Sequence, residues 1–329
     1  MTKNLLTKSF YLDLLDRIST IRICENFITK FYHENEMKTP MHMSKGEELV
    51  VSSAVLIFGK KSKYFGYYRS HALYLSLIND IRSFFGEMYG KSTGENLGIT
   101  GSMHILNPKK NLMSVSAIVS STIGPAVGSA YASFLNKSKN IIISFFGDGA
   151  TEQGVFHEAL NFSSLKNLPI IFICLNNKLA VDVKLQERQS YKIKKLVKSY
   201  NIKYYEIKSF EIDKVSKTYF DAKKYILKNK KPVFIEAHYH RHLQHIGLKT
   251  DFEKSSNIFE RQNYRSINEH KKNLKKDPYL LITDLIKNIY GEKFINNYIS
   301  KKEKIIGKII QKVKKSKVVN FKKISINQN

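Results

Sequence analysis

Residues 140–177 carry the feature that most restricts the fold. Two uninterrupted apolar runs, NIIISFF (140–146) and PIIFICL (169–175), flank a segment in which Val155, Ala159 and Phe162 recur at i, i+4 and i+7. Apolar runs without polar alternation suit strands buried on both faces, as in a parallel sheet. The helical spacing between them supplies the crossover that parallel strands need. The first run leads into Gly147-Asp148-Gly149 and the second into Asn176-Asn177. In a βαβ unit with neighbouring strands, both endings reach the carboxyl edge of the sheet, where open α/β sheets bind ligands. The predicted fold class is therefore α/β, a mainly parallel sheet flanked by helices, with helical segments at both ends.

The two endings suggest a chemistry. Asp148 offers a carboxylate and Asn177 an amide oxygen, both hard ligands suited to Mg²⁺ or Ca²⁺. The glycines allow backbone amides to approach a phosphate, and the following helix turns its N-terminus toward negative charge. A glycine-acid-glycine turn alone is common. Here 26 residues lie between Gly149 and Asn176, and they divide into one helix and one strand. That spacing describes a metal-bridged diphosphate site.

The rest of the chain gives a coarser pattern. Residues 5–37 read as helix, with Leu5, Leu12, Leu15, Ile18, Ile21 and Ile28 on one apolar face. Residues 38–110 read as loop-rich, and KPVFIEAHY (231–239) as another buried strand. One α/β domain is expected over 1–265. Residues 266–329 are expected to form a basic helical extension of it, with disorder at the very end. Residues 111–136 hold no charge, but their many small residues suit a packed helix and its leading loop better than a membrane span. Cys24 and Cys174 lack metal-ligand spacing and read as core residues of a reduced, cytoplasmic protein. No signal peptide is legible.

Charge raises another class. Lys and Arg number 55 against 28 acids, for a formal charge of +27. The lysines are spread along the whole chain without a nucleic-acid reader motif, so no nucleic-acid or membrane partner is expected. A non-enzymatic basic scaffold stays as the remote alternative. His238, His240 and His242 alternate and could share a strand face, a zinc-like pattern. A zinc site is not expected there, for want of a fourth ligand. Glu47 and Glu48 read as solvated acids on a helix-forming stretch.

Several stretches in order, MHMSKGEEL (41–49), YYRSHALYLSL (67–77), YGKSTGENLGITGSMHI (89–105), SAIVSSTIGPAVGSAYA (116–132), the 147–177 unit, IEAHYHRHLQHIG (235–247) and KKDPYLLI (275–282), resemble the alpha subunit of thiamine-diphosphate-dependent 2-oxo acid dehydrogenases of the pyruvate and branched-chain type. The resemblance implies thiamine diphosphate and Mg²⁺ as cofactors. It implies Asp148, Asn177 and the Leu179 carbonyl as metal ligands. Tyr68, Arg69, Gly149, Ala150 and Arg241 would contact the diphosphate, and the backbone of Ala117 and Val119 the aminopyrimidine ring. His42, His245 and His104 would act at the reaction centre, with Ser102 lining the substrate pocket.

The implied reaction is oxidative decarboxylation of a pyruvate-like 2-oxo acid with acyl transfer to a lipoyl carrier. The implied assembly is an alpha2-beta2 heterotetramer, in which a beta subunit supplies the activating glutamate and a lipoyl-bearing acyltransferase accepts the product. The sequence departs from the family pattern at Glu47, where Gln is usual. LQERQ (185–189) and HIGLKTDFE (245–253) instead resemble an offshoot associated with surface polysaccharide genes. For that offshoot the alternative is transfer of a carbonyl fragment to a sugar or other acceptor.

Overall fold

The computed structural model describes residues 6–138, 140–208, 210–253 and 262–319. The chain opens with α1 (Lys8–Phe31), α2 (Glu48–Phe58), the short strand β1 (Lys63–Phe65), α3 (His71–Leu77) and α4 (Ile81–Met88). After a long loop come β2 (Leu112–Ser114), α5 (Ile123–Leu135), β3 (Ile142–Gly147), α6 (Gly154–Leu165) and β4 (Ile170–Asn176). A small hairpin of β5 (Leu179–Ala180) and β6 (Val183–Lys184) leads to α7 (Leu185–Arg188) and α8 (Ile193–Ser199). Then follow β7 (Lys203–Ile207), α9 (Ile212–Asn229), β8 (Val233–His238), α10 (Ile267–Leu274), α11 (Pro278–Tyr290) and α12 (Glu292–Lys314).

Six strands form one parallel sheet in the order β2-β1-β3-β4-β8-β7. Strand alternation divides its side chains between two cores. Ile143, Phe145, Ile171, Ile173, Val233 and Ile235 pack on one face with α1, α2, α9 and the C-terminal helices. Ile142, Phe146, Ile170, Phe172, Cys174 and Phe234 face α5, α6 and α8. Each fully buried side chain of this size contributes roughly 1.5–3 kcal/mol. Covering both faces leaves the carboxyl edge as the place where polar groups can gather.

The βαβ reading of residues 140–177 holds, and β3 and β4 are direct neighbours. Three expectations need correction. Residues 38–110 hold three α-helices, and of their glycines only Gly86 lies inside one. Helix α2, ELVVSSAVLIF, is buried nearly all round and so lacks the one-sided period by which surface helices are read. The first helix begins at Lys8 under a Thr7 cap, and its last turn gives way at Asn35, φ 56°; Leu5 lies outside the described residues. Third, the apolar strand 231–239 is regular only over Val233–His238.

The basic C-terminal segment packs closely onto the domain. Ile306, Ile310 and Val313 of α12 are fully buried in the first core. Asp277 caps α11 with Pro278 at its first position, and Gly291 (φ 88°) separates α11 from α12. The end expected to be disordered falls at 320–329, outside the described residues. Both cysteines are buried and free. Among the described residues no helix is long and apolar enough to cross a membrane.

Candidate functional site

The parallel register sets Gly147 opposite Leu175, so Asp148 and Asn177 leave the sheet side by side. Asp148 opens a short 3₁₀ turn, while the asparagine pair closes β4 through two successive Asx turns. In these, Lys178 N donates to Asn176 Oδ1 at 2.8 Å and Leu179 N to Asn177 Oδ1 at 3.0 Å. Lys178 adopts a left-handed backbone (φ 64°) to permit the reversal. Asn177 Nδ2 donates to Tyr239 Oη at 2.8 Å, which orients the amide.

Asp148 is 1% exposed. Its Oδ2 pairs with Arg188, while Oδ1 is buried without a hydrogen-bond partner. Burial pushes its pKa up to about 6, against the pull of Arg188 and of the Asp148 and Asn177 backbone amides. This carboxylate is under-coordinated, and a cation at Oδ1 would offset the cost of burying it.

The Tyr68-Arg69 pair stands beside this turn; a Cβ added at Gly147 would lie 3.9 Å from Tyr68 Oη. Arg69 is fully buried, yet its hydrogen bonds go to the carbonyls of Met43 (2.7 Å) and His245 (3.3 Å), and its Nε has no partner. Arg241 is also buried. It donates to the carbonyls of Leu243 (3.0 Å) and Val181 (2.8 Å) and to Tyr264 Oη (2.8 Å), and its Nη1 has no partner. Neither arginine forms a salt bridge with a carboxylate among the described residues. Two buried guanidinium charges that form no salt bridge among the described residues are costly to fold, and a multiply charged anion would offset that cost.

Two chain segments bring histidines to the same point. Residues 41–47 run against 240–247, with Gly247 N bonded to Met41 O (2.9 Å) and His242 N to Lys45 O (3.2 Å). Gly46 (φ 106°) is required there, since a Cβ would fall 1.9 Å from the His240 carbonyl oxygen. His42 thereby meets His245 with ring centroids 4.9 Å apart, and both rings flank Tyr68 at 4.8 and 5.2 Å. Burial, then the Arg69 charge, lowers His42 to about pKa 3 and His245 to about 2. Both imidazoles are therefore held neutral, each with an N–H to donate in a hydrogen bond.

The other sequence-selected residues divide. Ala117 and Val119 lie in the loop before α5, and Ser120 Oγ ties that loop to the Ala150 carbonyl at 3.1 Å. Gly149 faces the hairpin, where a Cβ would stand 3.2 Å from Ala180 Cβ. Ser102 is fully buried and hydrogen-bonds His71 Nε2 at 2.7 Å, while His71 Nδ1 meets Glu25 Oε1 at 3.0 Å. Its hydroxyl is thus engaged in a buried network. His104 is half-buried in the same 3₁₀ turn and makes no ring contact with His42 or His245. The loop that carries both residues is organised by buried Glu87, whose carboxylate accepts the amides of Asn96, Gly98, Thr100 and Gly101.

Glu47 and Glu48 are not solvated: both are 0% exposed. Glu48 pairs with Arg22 and accepts the Gly46 amide at 2.6 Å. Glu47 accepts the Tyr67 hydroxyl at 2.7 Å, and burial pushes its pKa up to about 8. Sequence reading missed Arg188 and Tyr239 as partners of Asp148 and Asn177. The reach of the LQERQ arginine to Asp148 across 40 residues leaves no local signal.

Comparison with known proteins identifies the family. Residues 16–322 match the family described as "Dehydrogenase E1 component". The alpha subunit of acetoin:2,6-dichlorophenolindophenol oxidoreductase from Bacillus subtilis is 31% identical over 172 residues, 52% of each chain. The chloroplastic pyruvate dehydrogenase E1 component subunit alpha-3 of Arabidopsis thaliana is 31% identical over 186 residues, 55% of this chain and 44% of that protein. The match thus spans about half the length of these two relatives. The pyruvate dehydrogenase E1 component subunit alpha of Rickettsia conorii is 25% identical over 281 residues, 85% of this chain and 83% of that protein.

Proposed function

The chain belongs to the dehydrogenase E1 component family, and from that premise we propose that it is the alpha subunit of a thiamine-diphosphate-dependent enzyme that decarboxylates a 2-oxo acid. One observation carries the reading: among the described residues buried Arg69 and Arg241 form no salt bridge, and buried Asp148 has an Oδ1 without a partner. A magnesium diphosphate supplies both missing charges at once. The donor set fits the metal as well, since a carboxylate, the Asn177 amide oxygen and the Leu179 carbonyl are all hard oxygen ligands. Tyr68, Arg69 and Arg241, with the backbone of Gly149 and Ala150, would hold the diphosphate. The backbone of Ala117 and Val119 would meet the aminopyrimidine ring.

Thiamine diphosphate, when bound, supplies the electron sink for loss of CO₂. The chain's own residues bind, orient and move protons. His42 and His245, neutral in their buried setting, would each offer an N–H hydrogen bond to the developing oxyanion. His104 belongs to the adjoining loop, as does Ser102, whose contribution is to keep that loop in place through His71. The oxidative acyl transfer to a lipoyl carrier, and a beta subunit completing the cofactor site, are parts of the same proposal. Ile118, Val119, Phe134 and Leu135, exposed on α5 and its leading loop, support such a partner surface.

The test is reconstitution with the beta-like chain of the same organism. The pair should release CO₂ from a 2-oxo acid only with thiamine diphosphate and Mg²⁺, and His245→Ala should lower kcat far more than cofactor affinity. Full turnover by this chain alone, or equal losses of both quantities in His245→Ala, would overturn the division of labour.

A further inference from the structure

The three alternating histidines do not act together. His240 Nε2 meets His270 Nδ1 at 2.8 Å, and His242 Nδ1 lies 3.6 Å from Asp277 Oδ2. Only His238 stays on β8, where Glu236 lies two residues before it and Glu206 comes from the neighbouring strand. Glu206 on β7 is the register partner of Glu236 on β8. Glu236 and His238 alternate onto one face of β8. All three side chains therefore converge at the carboxyl edge, two strands from the Asp148 turn.

Their spacing is informative. His238 Nε2 lies 3.3 Å from Glu206 Oε1 and 3.5 Å from Glu236 Oε1, and one ligand atom from each residue fits within 4.8 Å of the others. A tetrahedral ion with bonds of about 2.0–2.2 Å separates its ligands by roughly 3.3–3.5 Å. Glu236 is braced from behind: Asn176 Nδ2 donates to its Oε1 at 2.6 Å, and the Tyr204 hydroxyl to its Oε2. Such outer bonds orient metal-bound carboxylates. The cluster opens on a cavity of about 620 Å³, from which water can complete the coordination. Lys208 also contacts Glu206 at 2.9 Å, but its side chain is 71% exposed and free to swing away.

We propose that Glu206, Glu236 and His238 form a second divalent-metal site, separate from the diphosphate site. Its one-imidazole, two-carboxylate set takes a borderline ion such as Zn²⁺ in preference to Mg²⁺. Because Asn176 bonds Glu236 and precedes Asn177, an ion there also steadies the turn that carries the cofactor-side amide.

Cobalt reports the geometry directly. The full-length chain, stripped with chelator and carrying Asp148→Asn to silence the diphosphate site, is titrated with Co²⁺ alone. One equivalent should produce the intense visible absorption of tetrahedral cobalt, and Zn²⁺ should displace it. His238→Gln should weaken Co²⁺ binding at least tenfold. Glu206→Gln, at a partly exposed position, serves if His238→Gln fails to fold. His270→Gln, which disrupts only the neighbouring histidine pair, should leave the signal intact. Absence of the cobalt band, or its survival in both His238→Gln and Glu206→Gln, would show that the cluster is a hydrogen-bond network and no metal site.

Discussion

Two buried arginines show how differently one charge can be used. Arg22 on α1 donates to Glu48 Oε1 at 2.6 and 2.9 Å and to both oxygens of Asp277 at 2.8 Å. It ties α1 to the start of α2 and to the cap of α11. Arg69 is buried as deeply but donates to carbonyls alone and leaves Nε unpaired. The first charge is neutralised by the chain itself and holds helices together. The second forms no salt bridge among the described residues, and that difference separates scaffold from candidate site.

The largest effect should come from exchanging each arginine for an apolar isostere. Arg22→Met strands Glu48 and Asp277 in the interior, and about 3–5 kcal/mol of stability should be lost in urea denaturation. Arg69→Met removes a charge that has no counter-ion, so stability should change by about 1 kcal/mol or less, or rise, while cofactor binding disappears. Equal destabilisation at both positions would break the comparison.

Glu47 sharpens it, for its carboxylate, if ionised, would be the missing counter-ion of Arg69. Burial raises its pKa to about 8 from an ordinary 4.5. Between those values the folded state keeps a proton that the unfolded state has lost, so stability should fall as pH rises through that window and level off above it. Glu47→Gln cannot ionise, so its stability should exceed the parent's by a margin that grows from pH 4.5 to 8, reaching a few kcal/mol. A margin that stays constant with pH would mean that Glu47 is already charged and that Arg69 is paired after all.

A smaller effect is expected from Arg69→Lys. Charge is kept but the planar fork is lost. One charge-assisted bond fewer should cost about 1.5–3 kcal/mol, roughly ten- to a hundredfold in cofactor affinity by calorimetry. Unchanged affinity would mean that Arg69 meets no phosphate.

What could be read from the sequence followed locality. Strands β3 and β4 were legible because both faces are buried and their residues form unbroken apolar runs. The Asp148 and Asn177 positions followed from those strands. Helix α2 was hidden by burial around its whole circumference, which erases the helical period. The fate of Glu48 was hidden by distance, since Arg22 lies 26 residues before it and joins it to Asp277 across 255 residues. Arg188 and Tyr239 escaped for the same reason. The His238 cluster shows the converse: the alternation was visible and included Glu236, but Glu206 meets His238 across 32 residues.

The most direct test of the account is calorimetric titration of thiamine diphosphate into the protein, with its partner chain present, in the presence and absence of Mg²⁺. Binding should appear only with Mg²⁺ and should vanish in Asp148→Ala, whose fold by circular dichroism stays that of the parent. Equal affinity without Mg²⁺, or affinity unaltered in Asp148→Ala, would contradict the claim that this turn and its two unpaired arginines form a metal-bridged diphosphate site.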